Sequence, residues 1–572
     1  MASIHKKVLR GHTYYYAREC KRVEGKPKIV WQKYLGRLEH IIASVERSRQ
    51  PAPLPQALPD GEVAELGASA ALYDLSRRLG LAAIVDAHVP KRGSGPSVGS
   101  YLEVGILNRC LAPCSKAAIA SWFDTSVLRR FSTLQSRQLT SQRFWDNMNR
   151  VSESAIAGIE ADLAQRLVAD FDLDLTNLLF DATNFFTYMD TFNDQSMLAQ
   201  RGKSKEGRSA LRVVGVALLV TADFHVPLLH HTYPGNQPDS KTFRSLADSI
   251  TARCRQLLDG VDRVTVVFDK GNNSQANLDR VEDSPYHFVG SLVPTHYPEL
   301  LAVSRDRFQP LTAPGLAGVL AYRTRQPVFG QDRTVLVTYN ERLFVAQART
   351  LLREIAKRQT HLEDLATRMR QRRTRQSRGK PFTREGVQAT VNAWLKARHM
   401  KDLFEVTITA HEDGLELAHH FRQEAWENLQ SSLLGKTLLF TDNHAWADAQ
   451  ILAAYRSQSQ VENAFRAIKD VHTIALRPQF HWTDQKIRVH VFICILALML
   501  LSLLRRELHR KGIDLSIRRA VHLLSDIREI AVLFPALRPD TPPSVRTTLS
   551  RLTPLQRKLY DVLDLGRYAS RS

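Results

Sequence analysis

AAYRSQSQVENAFRAIKD, residues 453 to 470, gathers its polar side chains on one side if it winds as a single helix. At 100° per residue, Tyr455, Gln458, Glu462 and Lys469 fall at about 0°, 300°, 340° and 320°, and Arg466 joins them at roughly 20°. Val461, Phe465 and Ile468 make an adjoining apolar stripe that can pack on a sheet. One carboxylate is thus set among two cations and a phenol. A plain surface helix with a Glu462–Arg466 ion pair at i,i+4 gives the same pattern, so the meaning of the stretch depends on what the rest of the chain brings to it.

Upstream, two apolar runs deliver aspartates. NLLFDATNFFTY, residues 177 to 188, is strand-like with Asp181 embedded in it. A basic, Gly-containing loop (Arg201, Lys203, Lys205, Arg208) separates it from a run at 212 to 223 and another at 225 to 233, which predicts an antiparallel three-stranded meander. An amphipathic helix is expected over 240 to 258; Asp239 before it is read as structural. RVTVVF, residues 263 to 268, is a short continuous apolar run of the kind found in a buried central strand, and it delivers Asp269. Asn272 to Ser274 should cap a following helix.

Between Asp269 and Glu462 the texture changes. Strand-like pieces at 319 to 324 and 334 to 339 lead into a long helix from Glu341 to about Arg372, in which Ala348, Ile355, Leu362 and Met369 recur every seven residues, with 383 to 398 as the return arm of a helical hairpin. RMRQRRTRQSRGK, residues 368 to 380, is the densest basic run, and Arg370, Arg372, Arg373 and Arg375 are expected to meet phosphate from a loop. Strands return at 404 to 410 and 436 to 440.

The flanks are simpler. Residues 8 to 34 alternate polar with aromatic or branched residues and predict a hairpin carrying Lys and Arg, followed by a proline-rich linker. From 62 to about 170 the pattern is helical, with segments near 72–87, 98–111, 115–123 and 152–168; its basic connections suit a DNA reader or a structural cap equally. VHVFICILALMLLSLL, residues 489 to 504, is roughly 16 residues long, short of the ~20 that span a bilayer, and is read as a buried helix. The N-terminus lacks the apolar core of a secretory signal, so a cytoplasmic location is expected. Cys20, Cys110, Cys114, Cys254 and Cys494 are scattered and imply neither a zinc site nor a disulfide framework. A net charge of +21 over 572 residues, with a pI of 9.9, points to a polyanionic partner.

Two strand-end aspartates and a later helix glutamate suit a pair of hard divalent ions, which take oxygen ligands and keep positions open for water and phosphate. The chain here resembles the DDE transposases of bacterial insertion sequences, in the IS-four-like superfamily, whose signature Y-x2-R-x3-E-x6-K is matched in spacing by Tyr455, Gln458, Glu462 and Lys469. It departs at Gln458, where the family has Arg; Arg456 and Arg466 are the neighbours able to supply that cation. FDATNFF resembles the segment of the first acid and VVFDKGNNS that of the second. The resemblance covers roughly residues 172 to 505.

It implies an α/β fold with a ribonuclease-H-like core, a mixed sheet flanked by helices, a long insertion before the glutamate and a helical N-terminal region. The implied layout is a basic arm at 1–50, a linker at 51–61, a DNA-end-binding helical domain at 62–171, core at 172–290 and 441–510 around an insertion at 291–440, and a helical tail at 511–572. Asp181, Asp269 and Glu462 would be catalytic and would ligate two Mg²⁺ or Mn²⁺. Tyr455, Gln458, Arg466 and Lys469 would hold DNA phosphates. The implied activity is cut-and-paste movement at terminal inverted repeats, with inverted-repeat and target DNA as partners and a homodimer as the DNA-bound form in a bacterial nucleoid, without membrane or small-molecule substrate. Relatives often form a DNA hairpin with an aromatic pocket for a flipped base, for which Trp394, Trp426 and Trp446 are candidates. A nuclease or resolvase of the same fold, or an inactive DNA-binding relic, would share much of this sequence.

Overall fold

A computed structural model describes the chain apart from residues 1, 10, 11, 24, 25, 50–60, 92, 94, 191, 203–210, 258–263, 283, 375–379, 535–543 and 571–572. The proline-rich tract and most of the basic loop at 201 to 208 therefore lie outside the described residues. The chain divides into two compact units, one made of Met1–Val264 with Gln458–Ser572, the other of Thr265–Ser457.

The first unit opens on an antiparallel sheet of β1 (Ala2–Leu9), β2 (His12–Val23) and β3 (Lys26–Gly36). The expected hairpin is β2–β3, and the polar-apolar alternation of the preceding residues adds β1, paired from Ala2↔Glu19 to Leu9↔His12. After β4 (Gly61–Glu65) the chain is helical, as its periodicity predicts. The segment expected over 72–87 is divided into Gly67–Leu79 and Leu81–His88 by Gly80. At φ 67° this residue adopts the left-handed turn a side chain would oppose, and its N–H caps the Arg77 and Ser76 carbonyls. The meander follows: β5 (Asn177–Phe186), the two-residue β6 (Gln200–Arg201), β7 (Arg212–Thr221) and β8 (Pro227–Pro234), with β7 antiparallel to β5, β6 and β8. Gly215 is required there, because a Cβ would meet the Tyr233 ring at 2.2 Å.

The second unit begins at β9 (Thr265–Phe268), whose four residues are all buried as a continuous apolar run requires. It continues through β10 (His287–Ser291), β11 (Gln309–Pro310), β12 (Val319–Val328), β13 (Gln331–Asn340), β14 (Phe404–His411), β15 (Gly414–Phe421) and β16 (Lys436–Thr441). Six of these form a mixed sheet in the order β11-β12-β13-β16-β10-β9. Only β9 and β10 pair in parallel here, which requires a crossover, supplied by the helix Gln275–Glu282 that Ser274 caps. The insertion has its own core. Ile355, Leu362 and Met369 of the helix Glu341–Arg373 are buried with Val387, Val391 and Leu395 of the return helix Arg384–Leu395 and with Ile408 and Leu417 of the β14–β15 hairpin. The seven-residue repeat therefore marks the seam of the helical hairpin.

Back in the first unit, every residue of the 489–504 run is buried in the helix Asp484–Arg510, which packs among the helices Gly67–Leu79 and Val98–Leu111 and strand β8. By length and hydropathy this helix could cross a membrane, but 94% of its apolar window is buried inside the protein, where it forms the core of the unit. The region after 511, expected to be helical, holds β17 (Arg528–Phe534) and β18 (Ser544–Leu549) between the helices Ile517–Ser525 and Pro554–Val562. β17 lies between β18 and β4, with Arg528 opposite Glu65, so the strand exists because its partner sits near the other end of the chain.

Candidate active site

β5 is enclosed along its length, and past its first residue Asp181 is its one position that is not fully buried. A carboxylate in such a strand needs partners or water. Its Oδ1 accepts the Ala182 N–H at 2.7 Å, and in the register it faces Leu218 of β7. Asp181 and Thr183 share one face of the sheet, being two residues apart.

The stretch 453–470 is not one helix. Asp448–Arg456 ends in the second unit and Ser459–Lys469 begins in the first. The physical reason lies in the SQS join: Ser457 Oγ bonds back to the Ala454 carbonyl at 2.6 Å, and the Val461 N–H reaches only to Gln458 O, a tightened three-residue turn. Tyr455 therefore does not share a helix face with Glu462, and Gln458 sits half-buried at the start of the second helix. Within Ser459–Lys469 the stripes hold: Val461, Phe465 and Ile468 are buried, and Glu462 and Arg466 are exposed. Arg466 Nη1 donates to Asn463 Oδ1 at 3.2 Å, so in place of the Glu462–Arg466 pair of the plain surface-helix reading the guanidinium meets a neighbouring amide.

Lys469 fastens this helix to β5, donating to Thr183 Oγ1 and to the Asn184 carbonyl, each at 2.7 Å. Glu462 lies two turns earlier on the same face as Lys469. The helix face bearing Glu462 and Lys469 thus meets the sheet face bearing Asp181 and Thr183.

The second unit builds its own part. Asp269 follows β9 at the start of a short 3₁₀ turn, half-buried, and its Oδ1 accepts the Ser291 hydroxyl of β10 at 2.9 Å. Ser291, Lys270 and Tyr455 line one cleft of about 620 Å³, so the signature tyrosine opens on the same cleft as the partner of Asp269. Arg456, next in line, donates to the Gly315 carbonyl at 3.1 Å. Ser291, Thr183 and Asn184 are hydrogen-bond partners of the candidate residues that the sequence did not reveal, since nothing local marks a residue that meets a distant carboxylate or ammonium.

The basic run is helical where described: Arg370, Arg372 and Arg373 are in the last turn of Glu341–Arg373, and Arg375 is outside the described residues. Arg370 is exposed, whereas Arg373 bridges Asp413 at 3.1 Å and Glu416 at 2.8 Å. Among the tryptophans, Trp426 is buried in the insertion core and Trp394 packs against it, its ring 5.0 Å from His361. Both are accounted for by packing.

As hard oxygen donors, Asp181, Asp269 and Glu462 suit a divalent cation such as Mg²⁺. Among the described residues no three His, Cys, Asp or Glu side chains form a ready ion-binding group.

The family described as transposase DDE domain matches residues 176–500. No curated protein matches. Among solved structures, the synaptic complex of piggyBac transposase with hairpin DNA, seen by cryo-EM, is similar at a TM-score of 0.33 and 9% identity, covering 80% of this chain and 78% of that one. A likeness that slight carries no argument. The family match is another matter: it runs over more than half the chain, through both aspartate strands and the glutamate helix, and by it the chain belongs to the DDE transposases, DNA-cleaving and DNA-transferring enzymes that generally use divalent metal ions.

Proposed function

We propose that this transposase binds the terminal inverted repeats of a bacterial insertion sequence and moves it by cut-and-paste, with Asp181, Asp269 and Glu462 as the catalytic acids. The observation that carries this is the Lys469 clamp, which turns the glutamate helix toward the strand face of Asp181. In this reading the β5–β7–β8 meander and the parallel β9–β10 pair are the two parts of a ribonuclease-H-like core, interrupted by the insertion at 291–440. The three carboxylates would hold two divalent ions, Mg²⁺ or Mn²⁺, which when bound supply an activated water or 3′-hydroxyl and charge neutralisation at the scissile phosphate. The chain's own side chains do the positioning. Ser291 orients Asp269, Lys469 sets the helix carrying Glu462, and Gln458, Arg466 and Tyr455 would touch phosphates of the element's end. The helical region at 62–171 and the N-terminal arm bind the end, two copies pair on DNA, and the enzyme works on the nucleoid.

The test is cleavage and strand transfer on a paired-end substrate. Asp181→Asn, Asp269→Asn and Glu462→Gln are each expected to lower cleavage by a factor on the order of 10³ or more, the worth of several kcal/mol, with DNA binding retained. A variant that still cut near the wild-type rate would remove that residue from the trio. Wild-type cleavage without strand transfer would make the protein a nuclease of the same fold.

A further inference from the structure

Apart from the carboxylates, the first unit carries a half-open cavity of about 420 Å³ lined by the turn after the helix Val98–Leu111, the helix Ser141–Asn149 and loop 478–482. Its charge is one-sided. Lys116 Nζ lies 5.4 Å from the centre of the Trp145 ring and Lys486 Nζ 5.0 Å from it, and Arg109 donates to the Cys114 and Ala475 carbonyls from the same wall. No aspartate or glutamate is among the described lining residues. Asp146, near Lys486, accepts from Gln142 at 2.8 Å. His481 and His490 add no cation: burial above all holds both rings well below the ordinary imidazole range, helped at His481 by Lys116 and Arg109 and at His490 by His481 and then Arg109. Burial, then Arg109, lowers the Lys116 ammonium to about 7. An anion entering this space would favour the charged form of Lys116 and give Arg109 a counter-charge.

Two further features specify the anion. Gln479 is 1% exposed, and its Nε2 is a buried donor with no partner among the described residues. On the rim, Phe480 and Trp482 are 51% and 59% exposed, flat surfaces on which a planar ring can stack. We propose that this cavity binds one nucleotide of a DNA strand, its phosphate held by Lys116 Nζ and Gln479 Nε2 and its base laid against Phe480 and Trp482.

The loop is anchored to the end of the catalytic strand: the Tyr188 N–H donates to the Gln479 carbonyl at 2.8 Å, and Thr187 and Gln479 form a parallel bridge. Asp181 to Thr187 is about 20 Å along a strand. At the roughly 3.4 Å spacing of stacked nucleotides, a tail of about six is long enough to cover that distance from Asp181 to the pocket. DNA as the source of that nucleotide rests on the transposase reading; the chemistry of the pocket does not.

The experiment uses the full chain without divalent metal, so that no cutting is read. A duplex ending in an unpaired tail of about six nucleotides, with 2-aminopurine in the tail, is compared with the same duplex blunt. The tail is expected to tighten binding about tenfold and to lose fluorescence on stacking. Lys116→Met and, at the exposed rim, Trp482→Ala should each erase that gain while leaving blunt-duplex affinity within about twofold. Absence of a tail effect in the wild type, or an equal loss on blunt and tailed DNA, would overturn the proposal. Displacement of the tail by a free deoxynucleoside monophosphate supports the pocket chemistry. Binding of the free nucleotide with no gain from the tail rejects DNA as its source. Because cleavage is not measured, a wrong assignment of the acids would leave all these outcomes unchanged.

Discussion

Lys469 offers the sharpest test of what the signature helix does. Its ammonium meets Thr183 Oγ1 and the Asn184 carbonyl, both at 2.7 Å and both on residues less than a tenth exposed. Lys469→Met keeps the stem and removes the charge, so two enclosed acceptors lose that donor. Hydrogen bonds to a charged group contribute about 1.5–3 kcal/mol each; with the lysine half-exposed and the Thr183 hydroxyl free to rotate, the pair should amount to about 2–4 kcal/mol. At roughly 2.1 cal/mol/K per residue, a unit of this size shifts by about 1 °C per kcal/mol, which predicts a Tm lower by about 2–4 °C in calorimetry. Cleavage should fall with it, because Glu462 rides two turns along the same helix. Binding of the end should keep its salt dependence, since the charge is spent on β5 and not on phosphate. An unchanged Tm together with a salt slope reduced by about one unit would refute the clamp and make Lys469 a phosphate contact.

Two other expectations concern distinct parts of the chain. Glu65 caps the helix Gly67–Leu79, accepting the Ala68 N–H at 2.8 Å, and burial, though opposed by the hydrogen bonds from Ser69 and Ala68, raises its carboxyl from 4.5 to about 7. An acid that holds its proton more tightly when folded contributes stability that is full below about 4.5 and is lost as pH rises to about 7. Calorimetry across that window should show Glu65→Gln gaining on the wild type by about 2–3 kcal/mol, discounted because residue 65 keeps some surface. Curves that stay parallel would place the carboxyl in contact with solvent. In the basic run, Arg370→Gln should flatten the salt dependence of DNA binding by about 0.9 of a unit. Arg373→Gln should leave it alone, because that guanidinium is already engaged by Asp413 and Glu416; equal slopes for the two variants would show that the last helical turn does not meet DNA.

What was legible in the sequence follows from the range of the physics involved. The heptad of Ile355, Leu362 and Met369 could be read because a buried seam repeats with the helix that makes it, and VHVFICILALMLLSLL because a helix buried on all sides has no polar face. Asp181 was conspicuous as a charge in a run that is otherwise enclosed. The pairing of β17 with β4 joins opposite ends of the chain and leaves no local mark. Two of the three candidate tryptophans show a related limit: Trp426 and Trp394 carry rings fit for stacking on a base, but the insertion has a core to fill and packs them into or against it.

The signature itself shows how a spacing can be right while its geometric reading is wrong. Wound as one helix, 453–470 sets Tyr455 on the stripe of Glu462 and Lys469. Ser457 instead turns its hydroxyl back to Ala454, the turn tightens at Gln458, and the helical phase is lost between Tyr455 and Glu462. The intervals that survive are those inside one element: Glu462 to Lys469 is two turns of one helix and so a true shared face. Tyr455 to Gln458 instead counts the residues that carry the chain from a cleft containing Lys270 and Ser291, the latter bonded to Asp269, to a helix clamped on the strand of Asp181. A spacing motif of this kind constrains a connection as well as a surface. An extra residue inserted within Ser457–Ser459 should therefore disturb cleavage even though it touches none of the three acids, whereas on the single-helix reading it would rotate Tyr455 away and weaken DNA binding first.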